Sequence, residues 1–474
     1  MAFKKKLHAF HPSAEPVFIE TQRTSKKLRP ELCDPASLQR NVRQLLADKI
    51  SGTMVGIWLL CAEHLRLGTY DLLCAWSAAG PETVDPRLAL QTVHEAALCL
   101  CSVRQGRSLS QRGFEVANGL PFVASDQAIH DLFAKHTIAQ AQTLQLALGC
   151  LRRASGHFNG RLLAIDPHHM RSYTKRQMRR HRHKETEQAV KTLQSFFCLD
   201  AQTHQPIAFT LGSAAQTISL AVPQLLDMAQ AILRPGPDKA LVLADAEHRC
   251  VEIFKHALNN TQFDLLCPLP ATQHQRHETE ALAPHLFTPR WSGLATARLP
   301  YRFQSQPRLG PLYQIVQRCG ERPADYHYKS FLSTCQRDEL DQICHDFPQR
   351  WHIEEFFNAY QAMGWNRAGT LNLNVRYGQL TMALIAQTLV YQLRQRLGQP
   401  YQHWEAEHFG KHLFQGLDGD VRVHDDTIVV TYYNAPNADC LRQHYENLPH
   451  KLQRENIDPR LPWLYGFKLD FRFM

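Results

Sequence analysis

The sequence predicts an α/β fold: a mixed sheet with flanking helices, preceded by an all-α N-terminal domain and carrying a β-rich insertion late in the chain. Three observations predict it. Apolar residues recur at the helical period from Pro35 to about Gly156, the pattern changes at Gly160 to short apolar runs bounded by turn residues, and two of those runs end in an aspartate.

Residues 1–35 are basic, contain prolines and have little apolar period, so they predict a flexible arm. SLQRNVRQLLADKI, GTMVGIWLLCAEHLRL, PRLALQTVHEAALCLCSVRQ and HTIAQAQTLQLALGCLRR each carry helical spacing over residues 36–156. Ser125 and Asp126 stand where caps belong before AIHDLFAKH, and the short elements there fit either a helix-turn-helix DNA reader or a plain bundle. RLLAIDP predicts a buried strand, SFFCLDAQTHQPIAFTLG two strands joined by a polar turn, and QTISLAVPQLLDMAQAIL a helix. KALVLADAEHRCVEIFKHAL predicts a second buried strand that ends at Asp245 and feeds a helix. From about Thr261 to Tyr328 the helical signal fades into an irregular β-rich insertion, and FLSTC predicts a return strand. GQLTMALIAQTLVYQLRQRL then predicts an amphipathic helix, and VRVHDDTIVVTYYNAP a hairpin turning at Asp425 and Asp426.

Composition narrows the class without naming a function. The 474 residues are 44% hydrophobic, enough for several domains and a substantial core. A net charge of +9 makes a polyanionic partner plausible. The 13 cysteines form no CxxC pair, and Cys74, Cys99, Cys198 and Cys250 lie in apolar runs, which fits reduced thiols in a cytoplasm and argues against a zinc finger. No apolar h-region follows the N-terminal lysines and no window reaches membrane-spanning length, so neither secretion nor a membrane partner is expected.

The segment DFPQRWHIEEFFNAYQ carries the most chemistry. As one helix from Asp346 to Gln361 it places Phe347, Arg350, Glu354 and Gln361 within an arc of about 60°, beside an apolar stripe of Ile353, Phe357 and Tyr360. Alone, Arg350 and Glu354 fit a structural ion pair equally well. Asp166 and Asp245 fit turn or cap residues at strand ends, with Glu247 and His248 directly after the second. Taken together, three converging carboxylates would repel one another unless cations lay between them. Oxygen-only ligation suits Mg²⁺, with Mn²⁺ the alternative. Paired ions about 3.5 to 4 Å apart can activate a water or a 3′-hydroxyl and stabilise the leaving oxygen of a phosphodiester.

The order Asp166 in LLAIDP, Asp245 in LVLADAEH and Glu354 in QRWHIEEFF resembles the DDE transposases of bacterial insertion sequences, in particular the group with a Tyr-Arg-Glu-Lys signature helix. The resemblance implies a ribonuclease H-like core over 157–260 and 329–398, split by the insertion at 261–328 and followed by a C-terminal extension at 399–474. It implies that residues 36–156 bind DNA, that Asp166, Asp245 and Glu354 hold two Mg²⁺ ions, and that Arg350 positions Glu354 or a DNA phosphate. Phe347 stands where the group has Tyr, and Gln361 where it has Lys. The expected function is metal-dependent cleavage at insertion-sequence ends and strand transfer, by a homodimer on terminal inverted repeats and target DNA, cytoplasmic and nucleoid-associated. The alternative is a catalytically degenerate relative that only binds DNA.

Arg171, Lys175, Arg176, Arg179, Arg180, Arg182 and Lys184 follow Asp166 closely, and beside a phosphodiester site they read as phosphate contacts rather than as a solvated charge run. Gln361 and Trp291 complete the expected DNA-binding set, Trp291 as a stacking residue. Core packing is the competing reading for Trp291 and Tyr301, and the expected one for Trp351.

Overall fold

A computed structural model of the chain describes residues 34–52, 54–100, 111–172, 180–182, 189–212, 218–365 and 370–474. The arm expected over residues 1–35 lies outside these, except for Asp34 and Pro35. Asp34 caps the first helix, Pro35–Ala47, by accepting a hydrogen bond from the Ser37 amide at 2.8 Å. Helices Trp58–Leu67, Thr69–Ser77, Val84–Ala97, Arg112–Ala117, Asp126–Lys135 and Ile138–Ala154 follow. Ser125 caps Asp126–Lys135 as its position in the sequence predicts, accepting from the Ala128 amide at 3.3 Å. The N-terminal segment is helical but not purely so. Ile50–Gly52 forms a short strand, β1, which pairs antiparallel with a strand some 370 residues later, a partner that no local pattern announces.

The large sheet begins with β2, Leu162–Arg171, then β3, Arg180–Arg182, β4, Ala189–Asp200, and β5, Gln205–Leu211. β6, Ala240–Ala244, and β7, Phe263–Pro268, run parallel to β2, whereas β4 runs antiparallel to it and makes a hairpin with β5. β7 belongs to this sheet although the fading helical pattern puts FDLLCP inside the irregular insertion: a single short apolar strand without an acid at its end gives no sign of which sheet it joins. The insertion proper contributes β8, Thr288–Trp291, β9, Leu294–Pro300, and β10, Tyr313–Cys319, and β11, His327–Ser333, is the expected return strand against β7. The strand order is β3-β4-β2-β6-β7-β11-β10-β9-β8, with β5 also on β4. β12, Gly419–His424, β13, Thr427–Tyr432, and β14, Lys468–Phe473, form a second sheet with β1, and the β12–β13 hairpin turns at Asp425 and Asp426 as expected, Asp425 with φ of 54°.

Alternation along the strands sorts the core into two faces. Leu163, Ile165, Val242 and Ala244 pack under helices Ile218–Leu233 and Val251–Asn260. Leu162, Ala164, Phe197, Leu199, Leu241 and Leu243 point the other way, into a core shared with the N-terminal helices, helix His352–Tyr360 and helix Leu373–Leu397. That last helix departs from the amphipathic expectation. Met382, Ala383, Leu384, Ile385 and Ala386 are buried in succession because neighbours surround the helix on every side, and Gln387 and Thr388 are buried with them. Among the described residues no helix is long and apolar enough to cross a membrane, and the described cysteines are free.

The segment expected as one helix from Asp346 to Gln361 is helical with several windings. A π turn at Asp341–Asp346 passes into a 3₁₀ turn at Phe347–Trp351, then into the α-helix His352–Tyr360 and a final 3₁₀ turn at Gln361–Met363. Pro348, near the start of the first 3₁₀ turn, has no N–H to give to the preceding turn, so the winding changes there. Ile353, Phe356, Phe357 and Tyr360 anchor the α-helical part, with Phe356 against Phe197 and Trp365. Phe356→Ala should therefore cost about 3 to 5 kcal/mol of stability. Denaturant unfolding measures this, and a loss below about 1 kcal/mol would mean the helix docks by other contacts.

Candidate active site

The pairing register of β2 with β6 builds the site. The parallel ladder ends at Ile165 opposite Ala244, so the next residues, Asp166 and Asp245, stand side by side where the ladder stops. Asp245 does end its strand, and its Oδ1 accepts from the Ala246 amide at 2.7 Å to start the 3₁₀ turn Ala246–His248. Asp166 does not end its strand as the sequence suggested. β2 continues to Arg171 because β4 extends beside it, pairing Asp166 with Phe197, so the carboxylate sits where one neighbour strand stops and the other goes on.

By alternation Asp166 shares the face of Leu162 and Ala164, the face covered by helix His352–Tyr360. Arg350 reaches it from the preceding turn. Its Nη1 lies 3.9 Å from Asp166 Oδ1, and its Nη2 donates to Glu354 Oε1 at 3.2 Å. His352 fixes the start of the helix by donating from Nδ1 to the Ala201 carbonyl at 2.6 Å, in the turn between β4 and β5. Ion pairs of Arg290 with Asp338 at 3.0 Å and of Arg298 with Glu339 at 2.9 Å join the insertion strands to the segment leading into this helix.

One group of three metal-ligating side chains occurs among the described residues, and it is not the three acids expected. Oxygens of Asp166, Asp245 and Glu247 all lie within 4.8 Å of one another. Glu354 is outside that group and is linked to Asp166 through Arg350. Glu247 is the member of this group that the sequence does not single out. It stands two residues after Asp245, but an exposed Glu just past a strand end is common, and only the 3₁₀ geometry folds it back toward its neighbour.

Burial, and to a lesser degree three neighbouring carboxylates, raise the proton affinity of Asp166. Burial pushes its carboxyl up to about 7, Arg350 opposes this, and Glu247, Asp245 and Glu354 add to it. Neither nearby histidine supplies a compensating charge. Burial lowers His248 to about 4 and His168 to about 4, the latter stacked on Phe357 at 4.3 Å. An oxygen-only donor set with surplus negative charge fits a hard divalent cation and gives a soft one no thiolate or imidazole.

The other expected residues are dispersed. Lys175, Arg176, Arg179 and Lys184 lie outside the described residues, and of Arg171 and Arg182 only the backbone is described, in β2 and β3. Arg180 is exposed in β3, and Gln361 is exposed where the α-helix ends. Trp291 is 56% exposed at the end of β8, and Trp351, expected in the core, is 54% exposed. Helix geometry explains Trp351: two residues before Ile353, it lies about 200° around the axis from the face that Ile353 buries. Phe347 packs edge-on against Phe331 of β11 at 5.0 Å, so it faces the return strand.

The unfolded chain ionises Asp166 near pH 4 and the folded chain near its raised value of about 7, so the fold loses stability as pH rises through that window. Above it the ionised carboxylate costs on the order of a few kcal/mol. Asp166→Asn should accordingly raise the Tm of chelator-treated protein at pH 8, with the gain shrinking at pH 4. Thermal unfolding at the two pH values reads this, and an equal gain at both would contradict the shift.

No curated protein matches the chain. Among solved structures, a cryo-EM structure of the piggyBac transposase synaptic complex with hairpin DNA is similar, with 14% identity and a TM-score of 0.42, covering 77% of this chain and 82% of that one. Residues 157–389 match the family model of the transposase DDE domain, a span that holds Asp166, Asp245, Glu247, Arg350 and Glu354. Those residues are thus a transposase DDE domain, and the protein that carries them is a DNA transposase, an enzyme of DNA cleavage and strand transfer.

Proposed function

We propose that this transposase cuts at the terminal inverted repeats of an insertion sequence and transfers the freed 3′ ends to target DNA, with Asp166, Asp245 and Glu354 holding two Mg²⁺ ions, or Mn²⁺ in their place. The observation that carries the reading is the convergence of Asp166 and Asp245 under Arg350 and Glu354, inside the matched domain. Divalent ions in such a pocket would activate a water or a 3′-hydroxyl and neutralise the leaving oxygen. Asp166 and Asp245 would set the position of the scissile phosphate by the fixed register of their strands. Arg350, forked between two carboxylates, has the geometry to take a phosphate oxygen as a further partner.

The same reading treats the order β5-β4-β2-β6-β7 as a ribonuclease H-like core, with residues 157–260 and 329–398 as its parts, 261–328 as the insertion, 36–156 as the region that binds the element's ends and 399–474 as the extension. Exposed Arg180, Gln361 and Trp291 would contact DNA, together with the basic residues between Arg171 and Lys184. Two protomers would hold two ends, in the cytoplasm on nucleoid DNA.

The test is cleavage and strand transfer on DNA ending in the element's own repeats, in Mg²⁺ and in chelator. Asp166→Ala, Asp245→Ala and Glu354→Ala should each lower the rate roughly a thousandfold. Unchanged rates in all three would remove the assignment. Cleavage that persists in chelator would remove the metal.

A further inference from the structure

We propose that Glu247 is a metal ligand of the DNA-free transposase, forming a resting ion site with Asp166 and Asp245 while Arg350 keeps Glu354 out of it. The inference rests on the metal-dependent reading above and adds an order to it. Glu247 belongs to the group of oxygens within 4.8 Å of one another, and Glu354 does not. Glu354 is instead held by Arg350 Nη2 at 3.2 Å, while Nη1 of the same guanidinium faces Asp166 at 3.9 Å. Arg350 thus lies between Glu354 and the carboxylate that both would share.

The backbone fixes the position of Glu247. Asp245 caps the turn with its side chain, and the His248 amide donates to the Asp245 carbonyl at 3.0 Å, which closes the turn over Ala246 and Glu247. His248 is buried at one end of this turn and anchors it, while the Glu247 side chain is exposed to solvent. An exposed carboxylate on an anchored turn is suited to take up an ion from solvent. The Glu354 carboxylate is suited to a later step, because it comes free only when Arg350 finds another anion. A DNA phosphate is such an anion, and a bidentate arginine and phosphate contact competes well with a half-exposed ion pair. DNA binding would then exchange Glu247 for Glu354 around the ions and couple assembly of the full site to arrival of the substrate.

Mn²⁺ binding to the full-length protein without DNA, followed by the electron spin resonance signal of free Mn²⁺, separates the roles. Glu247→Gln should weaken binding at least about tenfold. Glu247→Asp, which keeps a carboxylate and guards against a folding artefact, should retain part of it. Glu354→Gln should change binding less than about twofold, and Arg350→Ala, which removes a cation and frees Glu354, should tighten it. Equal weakening by Glu247→Gln and Glu354→Gln, unchanged binding in Glu247→Gln, or no Mn²⁺ binding by the wild-type protein without DNA would each overturn the inference. Failure of the wider reading looks different: Asp166→Asn and Asp245→Asn would then leave DNA cleavage intact, whatever Glu247 does.

Discussion

The parallel register of β2 and β6 is the constraint on which the rest of the site depends. Once Ile165 stands opposite Ala244, two aspartates must follow as neighbours where that ladder stops, in a protein interior that resists negative charge. A slip of one residue would turn Asp166 to the opposite face, under helix Ile218–Leu233, and the site would vanish. Burial of Leu162 and Ala164 on one face and of Leu163 and Ile165 on the other holds that register.

The crowding of carboxylates explains the surroundings. A raised proton affinity at Asp166 is stored electrostatic cost, and Arg350 offsets part of it while waiting between Asp166 and Glu354. The helix bearing Arg350 and Glu354 cannot choose its own position. Ile353, Phe356 and Phe357 dock it on the sheet, His352 ties its first turn to the β4–β5 hairpin, and the arginine and acid pairs of the insertion fix the segment before it. Docked by Ile353, the segment carries Arg350 toward Asp166 and leaves Trp351, on the opposite side, in solvent.

Periodicity and turn chemistry alone predict the strands around Asp166 and Asp245, the β4–β5 hairpin, the helix after that hairpin, the helix after Asp245, the cap at Ser125 and the β12–β13 turn, because each depends on residues within one or two turns of one another. The pairing of Arg350 with Glu354 was legible for the same reason, since four residues along a helix bring side chains together. The buried circumference of Leu373–Leu397 was not legible, because a helix with polar residues around it reads as amphipathic until Gln387 and Thr388 are seen to be covered by neighbours.

What the sequence by itself determined is therefore local and patterned: which segments become strands or helices, which acids they present, and that Arg350 and Glu354 share a face. Only the tertiary structure decided which acids meet. Asp166 and Asp245 come together through a ladder between segments about 80 residues apart, Glu247 joins them because a capped turn folds it back, and Glu354 stays behind a guanidinium. Distances of a few ångströms between residues remote in sequence follow from strand register and helix docking, and those are set by burial summed over the whole core.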